Sequence, residues 1–201
     1  MIRVLLVIET CLMRSALAAL LGREQDIEVV AAPWKDAPGR ARQLRPDVCV
    51  VDMDGADSPS AHDAAQLTVS ESEEQRALLV LAPPGKPGLL RQAVKTRALG
   101  FVSKDAPPQR LLRAIRRVAE GERFIDSALA FGFLQAAEMP LTPRELNVLS
   151  LAAEGASVSE IARSLHLSNG TVRNYMSAIT RKTGARNRVD AIRISKGAGW
   201  L

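Results

Sequence analysis

Short apolar runs alternate with helical patterns over the first 122 residues, and this alternation strongly limits the folds open to the chain. "IRVLLVIE" (2–9) and "PDVCVVDM" (46–53) are rich in Val, Ile and Leu without a helical stripe, which is typical of strands buried on both faces. Strands are predicted at 2–9, 27–32, 46–53, 76–84 and 100–104, and helices at 13–24, 37–45, 87–98 and 108–122. The order predicts an α/β fold with a doubly wound, five-stranded parallel sheet.

The last third of the chain carries helix-start patterns instead. "TPRE" (142–145) has Thr before Pro and Glu three residues after the Thr, which is a capping box, and Ser157 to Glu160 form a second one. A third helix is predicted at 168–184 and a last one from Arg188 to about Gly197. A short helix, a tight turn and a helix with a basic face predict a helix-turn-helix.

These patterns divide the chain into three parts. We predict an α/β domain at 1–122, a helical linker at 123–139 and a small all-α domain at 140–201. Residues 1–139 hold 18 basic and 18 acidic residues, whereas residues 140–201 hold nine basic and four acidic ones, whose difference is the whole net charge of +5. The uneven charge predicts that the last part binds a polyanion such as double-stranded DNA.

Other sequence features bear on location and redox state. No window approaches the ~20 apolar residues of a membrane-spanning helix, and the start lacks the pattern of a signal peptide. A cytoplasmic location with no membrane contact is therefore expected. Cys11 and Cys49 match no metal or redox spacing, so both are predicted to be buried as small apolar side chains.

Polar residues stand at the ends of three predicted strands. Glu9 ends the first, Asp52 the third and Lys104 the fifth. Because the carboxyl ends of parallel strands meet at one edge of a sheet, these side chains are expected to lie together. Carboxylates can hold Mg²⁺, and a lysine can pair with the phosphoryl oxygens of an acyl phosphate. This is the arrangement that phosphoryl transfer to an aspartate requires.

The first part resembles the receiver domain of bacterial response regulators. The segments "IRVLLVIE", "RPDVCVVDMD", "GKPGLLRQAV" and "GFVSKDAP" carry the resemblance, which covers about residues 1–122. It implies a flavodoxin-like fold in which Asp52 takes the phosphoacceptor position. It also implies that Lys104 takes the position of the switch lysine and Phe101 that of the switch aromatic.

Three departures from that family concern the same pocket. Receivers of this group usually end the first strand with two adjacent acidic residues, whereas this chain has Ile8 and Glu9. Ala82 replaces the usual hydroxyl residue, and a longer segment, "MDGADSPSAHD", follows Asp52 in place of a Met-Pro-Gly turn. They predict that ordinary aspartyl phosphorylation is lost and that no cofactor is required. If Mg²⁺ did bind, its ligands would be Glu9, Asp52 and Asp54.

Residues 141–193 resemble the LuxR-type DNA-binding domain along nearly their whole length, from "LTPREL" to "RVDAIR". The resemblance implies that the helix at 168–182 enters the major groove, with Arg173, Asn174 and Ser177 facing base edges. The remaining DNA-binding residues are predicted to be Thr142, Arg144, Ser168, Asn169, Thr171, Arg181, Lys182 and Arg188. Among them, the Arg and Lys residues, Thr142 and Thr171 are placed for phosphates.

The combination resembles the NarL/FixJ response regulators, which bind DNA as dimers. We therefore expect a homodimer on two inverted half-sites, with Val189 and Ile192 of the last helix as candidate dimer contacts. Control is expected to come from dimerisation, protein abundance or a small ligand at the altered pocket.

Two alternatives remain at this stage. One is a phosphorylation-dependent regulator with a sensor kinase, in which Asp54 completes the metal site. The other is a phosphohydrolase, because "DMDG" matches the first motif of haloacid-dehalogenase-type enzymes, with Asp52 as nucleophile and Asp54 as acid/base. The partner motifs of that family are missing, so the chain is not expected to be an enzyme.

Overall fold

The computed structural model describes residues 1–54, 61–67, 76–137 and 139–201. The chain forms two compact units, one of residues 1–85 and 89–133 and the other of residues 86–88 and 134–201. The first unit thus continues past residue 122 to Phe133. The domain limits at 122 and 139 stay predictions.

A parallel sheet with strand order β2-β1-β3-β4-β5-β6 forms the centre of the first unit. The strands are β1 (Ile2–Val7), β2 (Ile27–Ala32), β3 (Val48–Asp52), β4 (Ala77–Ala82), β5 (Gly100–Ser103) and β6 (Phe124–Ile125). The predicted doubly wound α/β fold is confirmed, and the sheet has a sixth strand beyond the five predicted. β6 lies where a helical linker was expected.

The helices of this unit are α1 (Cys11–Leu21), α2 (Ala37–Leu44), α3 (Ala61–Gln66), α4 (Pro87–Val94) and α5 (Pro108–Ala119). Both faces of the sheet are covered. Val4, Leu6 and Val50 on one face pack with Leu21 of α1 and Ile115 of α5. Alternate residues on the opposite face are equally buried, including Leu5, Val7, Cys49 and Val51. This double burial explains why these strands are continuous apolar runs.

The helix α6 (Ala130–Ala137) leads from the first unit into the second, whose remaining helices are α7 (Pro143–Ala153), α8 (Val158–Ser164), α9 (Asn169–Thr183) and α10 (Arg188–Gly197). The predicted helix-turn-helix is confirmed: α8 and α9 are separated by a tight turn in which His166 has a φ of 54°. One apolar core joins α7, α8, α9 and α10 through Leu149, Ile161, Val172 and Ala191.

Two further predictions can be compared with the structure. Cys49 is buried, and this burial raises the pKa of its thiol to about 12. Cys11 is the first residue of α1 and is exposed to solvent, so its predicted burial is wrong. Among the described residues, no helix is both long and apolar enough to cross a membrane.

Candidate functional site

Asp52 and Lys104 meet at the carboxyl edge of the sheet, as the strand order requires. The Lys104 ammonium donates to Oδ2 of Asp52 at 2.7 Å and lies 3.6 Å from Oδ2 of Asp54. The backbone N–H of Asp54 donates to Oδ1 of Asp52 at 2.9 Å. Both carboxylate oxygens of the nearly buried Asp52 therefore accept a hydrogen bond from the chain itself.

Glu9 has a different partner. Its carboxylate accepts a hydrogen bond from the backbone N–H of Trp34, at the start of the 3-10 helix Trp34–Asp36. Arg14 donates to the backbone oxygens of Ile8 at 2.6 Å and Glu9 at 2.9 Å, so α1 holds the chain where it leaves β1. The side chain of Ile8 is itself buried. The acidic group predicted to join Asp52 thus binds the loop after β2 instead.

Ala82 is fully buried at the end of β4, in register with Ser103 of β5. A methyl group cannot donate a hydrogen bond to a phosphoryl oxygen. Phe101 lies on β5 with its ring 5.1 Å from that of Phe133 at an interplanar angle of 82°. The switch-aromatic position is therefore covered by the chain that follows the sheet.

These residues do not fit a Mg²⁺ ion, whose usual ligands are carboxylate oxygens and water. The Ile8 side chain has no oxygen, Glu9 is bound to Trp34, and the Lys104 ammonium occupies Oδ2 of Asp52. Within the part of the chain that the structure describes, no group of three or more His, Cys, Asp or Glu side chains is arranged to hold a metal. Residues 55–60 of the segment after Asp52 lie outside the described residues, so the different turn predicted there stays a prediction.

The α9 helix presents an exposed polar face. Arg173, Asn174, Ser177 and Arg181 are exposed, and among the described residues the guanidinium group of neither arginine makes a hydrogen bond or ion pair. A groove of about 690 Å³ runs beside this face, lined on its apolar side by Val158, Ile161, Met176 and Ala185. The free arginines can therefore meet an anion without first breaking an internal pair.

The predicted capping box of α7 forms around a nearly buried glutamate. Glu145 accepts from the backbone N–H of Thr142 at 2.7 Å and from its hydroxyl at 2.9 Å, and the Thr142 hydroxyl accepts from the Glu145 N–H. Lys182 of α9 donates to the same carboxylate at 2.8 Å. Burial alone would raise the pKa of Glu145, but the bonds from Lys182 and Thr142 outweigh it and lower the pKa. Glu145 thus joins the start of α7 to the end of α9.

Arg188 also has an internal role. Its Nη2 donates to the backbone oxygens of Ala152 at 2.8 Å and Ala156 at 2.7 Å, which closes the end of α7. Three residues predicted to bind phosphates, Thr142, Lys182 and Arg188, are thus engaged inside the domain. The TPRE pattern indicated the cap, but it gave no indication of the contacts to Lys182, which is distant in sequence.

The remaining predicted residues lie at the start of α9 and on α10. The Ser168 hydroxyl caps α9 by accepting from the Thr171 N–H at 3.1 Å, and Asn169 is exposed beside it. Val189 is 75% exposed on α10. Ile192, expected to be exposed as well, is half-buried against the core, which makes it less available for a partner.

Comparisons with known proteins agree with this architecture. Residues 139–195 match the family described as bacterial regulatory proteins, luxR family. Over 201 residues the chain is 48% identical to the response regulator RamR of Streptomyces coelicolor, covering 100% of this chain and 98% of RamR. It is 34% identical over 203 residues to the transcriptional regulatory protein DesR of Bacillus subtilis, with 100% of both chains covered.

A solved complex of the response regulator RcsB with DNA has the same fold, with a TM-score of 0.66 and 19% identity over 98% of each chain. The two units and the relatives together define the class: the chain belongs to the response regulators. It is a DNA-binding regulator of the NarL/FixJ type, with a receiver-like unit followed by a LuxR-type helix-turn-helix. The matched relatives are named as response or transcriptional regulators and not as enzymes.

Proposed function

We propose that this chain is a sequence-specific transcriptional regulator whose control does not require ordinary phosphorylation of Asp52. The observation that carries the proposal concerns the acidic groups around Asp52: Glu9 is bound to Trp34 instead of facing a metal, and the neighbouring Ile8 has a buried apolar side chain. Phosphoryl transfer to Asp52 would therefore proceed without the usual pair of acidic metal ligands. Dimerisation, protein abundance or a small ligand takes the place of a sensor kinase.

On the DNA side, Arg173, Asn174 and Ser177 of α9 contact base edges in the major groove. Arg suits guanine and Asn suits adenine in bidentate contacts, and all three side chains are exposed. Arg144 and Arg181 are exposed and contact phosphates, to which Ser168, Asn169 and Thr171 add neutral donors at the start of α9. Thr142, Lys182 and Arg188 hold the helices that present these groups.

The regulator binds inverted half-sites as a homodimer. A two-fold dimer uses the same patch on both subunits, and an exposed apolar side chain such as Val189 on α10 suits such a patch. The spacing of the half-sites would follow from the distance between the two α9 helices of the dimer.

The test of control is incubation of the full chain with acetyl phosphate and Mg²⁺, followed by measurement of the intact mass and of DNA affinity. We expect neither a phosphoryl adduct nor a change in affinity. Asp52→Asn and Asp54→Asn serve as controls for the acceptor. A stoichiometric adduct on the wild type that is lost in Asp52→Asn would overturn the proposal.

A phosphorylation-dependent regulator is the second candidate. It is favoured by Lys104 at bonding distance from Asp52, which is where the switch lysine of a receiver acts, and by Asp54 at 3.6 Å from the same ammonium. In that case the adduct would form, and Asp54→Asn would also reduce it because Asp54 would complete the metal site. The mass measurement therefore separates the two candidates.

A further inference from the structure

The chain leaves the sheet directly beside β5, the strand that Lys104 follows. β6 pairs with β5 only at Gly100 with Phe124 and at Phe101 with Ile125, and then it ends. The N–H of Asp126 still donates to the oxygen of Phe101 at 2.9 Å, which is the last main-chain bond between the two segments. The next donor on β5 along this side, the N–H of Ser103, has no strand residue beside it.

The side chain of Asp126 takes the place of that missing strand residue. Its Oδ2 accepts the Ser103 N–H at 3.3 Å, while Oδ1 accepts the Ala128 N–H at 3.1 Å and an Nη1 hydrogen of Arg110 at 2.7 Å. The Asp126 side chain is 0% exposed, and Arg110 of α5 supplies its counter-charge. One carboxylate thus extends the β ladder, caps the 3-10 helix Ser127–Leu129 and pairs with α5.

Ser103 is one peptide bond from Lys104, so the Asp126 carboxylate and the pocket share a very short stretch of backbone. The Lys104 N–H donates to the oxygen of Ala82 at 2.9 Å, and its ammonium donates to Asp52 at 2.7 Å. On the other side, Ser103 Oγ accepts the Asp105 N–H at 3.2 Å, which holds the turn after β5. Small movements of this stretch therefore change bonds at both ends.

We propose that Asp126 is a positioning residue for Lys104, and that it couples the state of the Asp52 pocket to the docking of residues 124–133. Residues 124–129 lead directly into α6, whose Phe133 ring packs on Phe101 of β5 and which continues into the DNA-binding unit. The link is separate from the proposed mode of control, because it holds whether Asp52 is ion-paired or phosphorylated.

The energetic basis is the cost of an unpaired buried group. If Lys104 moves and carries Ser103 with it, a buried carboxylate loses a donor, and undocking of residues 124–129 relieves that loss. Coupling between two sites is reciprocal, so undocking must also loosen the pocket. Coupling free energies of this kind correspond to about fivefold changes or more in an equilibrium.

The experiment measures amide hydrogen exchange in the full chain for the wild type, Asp126→Asn and Lys104→Met. Asp126→Asn keeps the size of the side chain but turns an amide donor toward the Ser103 or the Ala128 N–H. We expect exchange at residues 124–129 and at the Asp54 and Lys104 amides to rise by about fivefold or more. Lys104→Met should speed exchange at residues 124–129 by a similar factor.

Two internal references keep the test specific. Glu122→Gln removes a nearby but exposed ion pair with Arg117, at 2.6 Å, and should leave all these amides unchanged. The amides of β2, at the far edge of the sheet, report general destabilisation, so in Asp126→Asn and in Lys104→Met the rise at residues 124–129 should exceed the rise in β2 by about fivefold or more. A rise confined to residues 124–129 in Asp126→Asn would reduce Asp126 to a simple cap, and a uniform rise over the sheet would mean general destabilisation. Either result would overturn the proposal.

Discussion

The charged groups of the receiver pocket and those of the DNA-binding face are arranged in opposite ways. In the pocket, Lys104 and Asp52 satisfy each other, and Glu9 is held by Trp34. On α9, Arg173 and Arg181 have no partner among the described residues. A charged group that is already paired must lose that partner before it binds a ligand, whereas a free one loses only water. The difference indicates that the second unit has kept groups for an external anion and that the first has turned its groups inward.

The same contrast recurs between two capping boxes. The box of α7 uses Glu145, which is nearly buried and also binds Lys182, whereas the box of α8 uses the exposed Glu160 with Ser157 alone. The two patterns look alike in the sequence. Their environments make one a tie between helices and the other a local cap.

The largest expected effect is a loss of stability when the capping box around the nearly buried Glu145 is removed. Glu145→Ala should destabilise the second unit by about 2 to 4 kcal/mol, because it removes a cap and leaves the Lys182 ammonium unpaired. Urea unfolding followed by the fluorescence of Trp200, in a Trp34→Phe background, measures this loss. Glu160→Ala is the matched control and should cost clearly less. Equal losses would show that burial does not distinguish the two boxes.

The next effect concerns DNA recognition. Arg173→Ala should weaken binding to the specific site by about 1 to 3 kcal/mol if the guanidinium contacts a base. The site would first be identified by selecting bound fragments from genomic DNA, and affinities would then be compared on specific and random duplexes. Lys196→Ala, an exposed charge at the end of α10, is the control. An equal loss on both duplexes would instead make Arg173 a phosphate contact.

A smaller effect is expected inside the pocket. Lys104→Met should destabilise the first unit by about 1 to 2 kcal/mol, because Asp52 and Asp54 would face each other without the charge of Lys104 near them. Asp52→Asn should cost less, since its amide oxygen can still accept the Asp54 N–H. Urea unfolding followed by Trp34 fluorescence, in a Trp200→Phe background, measures which of the two variants loses more stability. The reverse order would mean that Lys104 is not needed to neutralise the pair.

The smallest expected effect is the change in stability when the Asp190 carboxyl of the DNA-binding unit takes up a proton. Arg193 holds the carboxyl of Asp190, with further bonds from the backbone and side chain of Arg186, and lowers its pKa from 3.8 to about 2. The stability from this charge is fully present above pH 3.8 and is lost as the pH falls through about 2. Carbon NMR of the carboxyl should give this low midpoint, and Arg193→Ala should raise it. A wild-type midpoint near 3.8 would contradict the observed bonds.

Local patterns explain which elements could be predicted from the sequence. The runs around Val50 and Leu79 are apolar because both faces of the sheet are buried, so periodicity and composition locate the strands well. Capping boxes and the turn before α9 also involve only neighbouring residues. By contrast, β6 has two residues and α3 has six without an apolar stripe, so neither produces a period that could be recognised.

The candidate pocket could be predicted only in part, for a related reason. Asp52 and Lys104 meet because strand order brings the ends of β3 and β5 to one edge, which follows from the fold. The orientation of Glu9 depends on Trp34, and the burial of Glu145 beside Lys182 depends on how α7 packs on α9. Such contacts between residues distant in sequence carry no local pattern. The strand ends therefore indicated Glu9 as a possible metal ligand, and the family resemblance indicated Lys182 as a phosphate contact, but neither indicated the internal bonds of these two side chains.

The brevity of β6 has a consequence for self-association through the sheet. An exposed strand edge is a template for adding an extended segment from another chain. On one side of the sheet that edge is β2, with six residues, and on the other it is β6, with only two. Because the Asp126 carboxylate occupies the next donor of β5, a foreign strand finds almost no ladder to continue there. β5, the strand that leads to Lys104, is thereby protected from intermolecular strand addition.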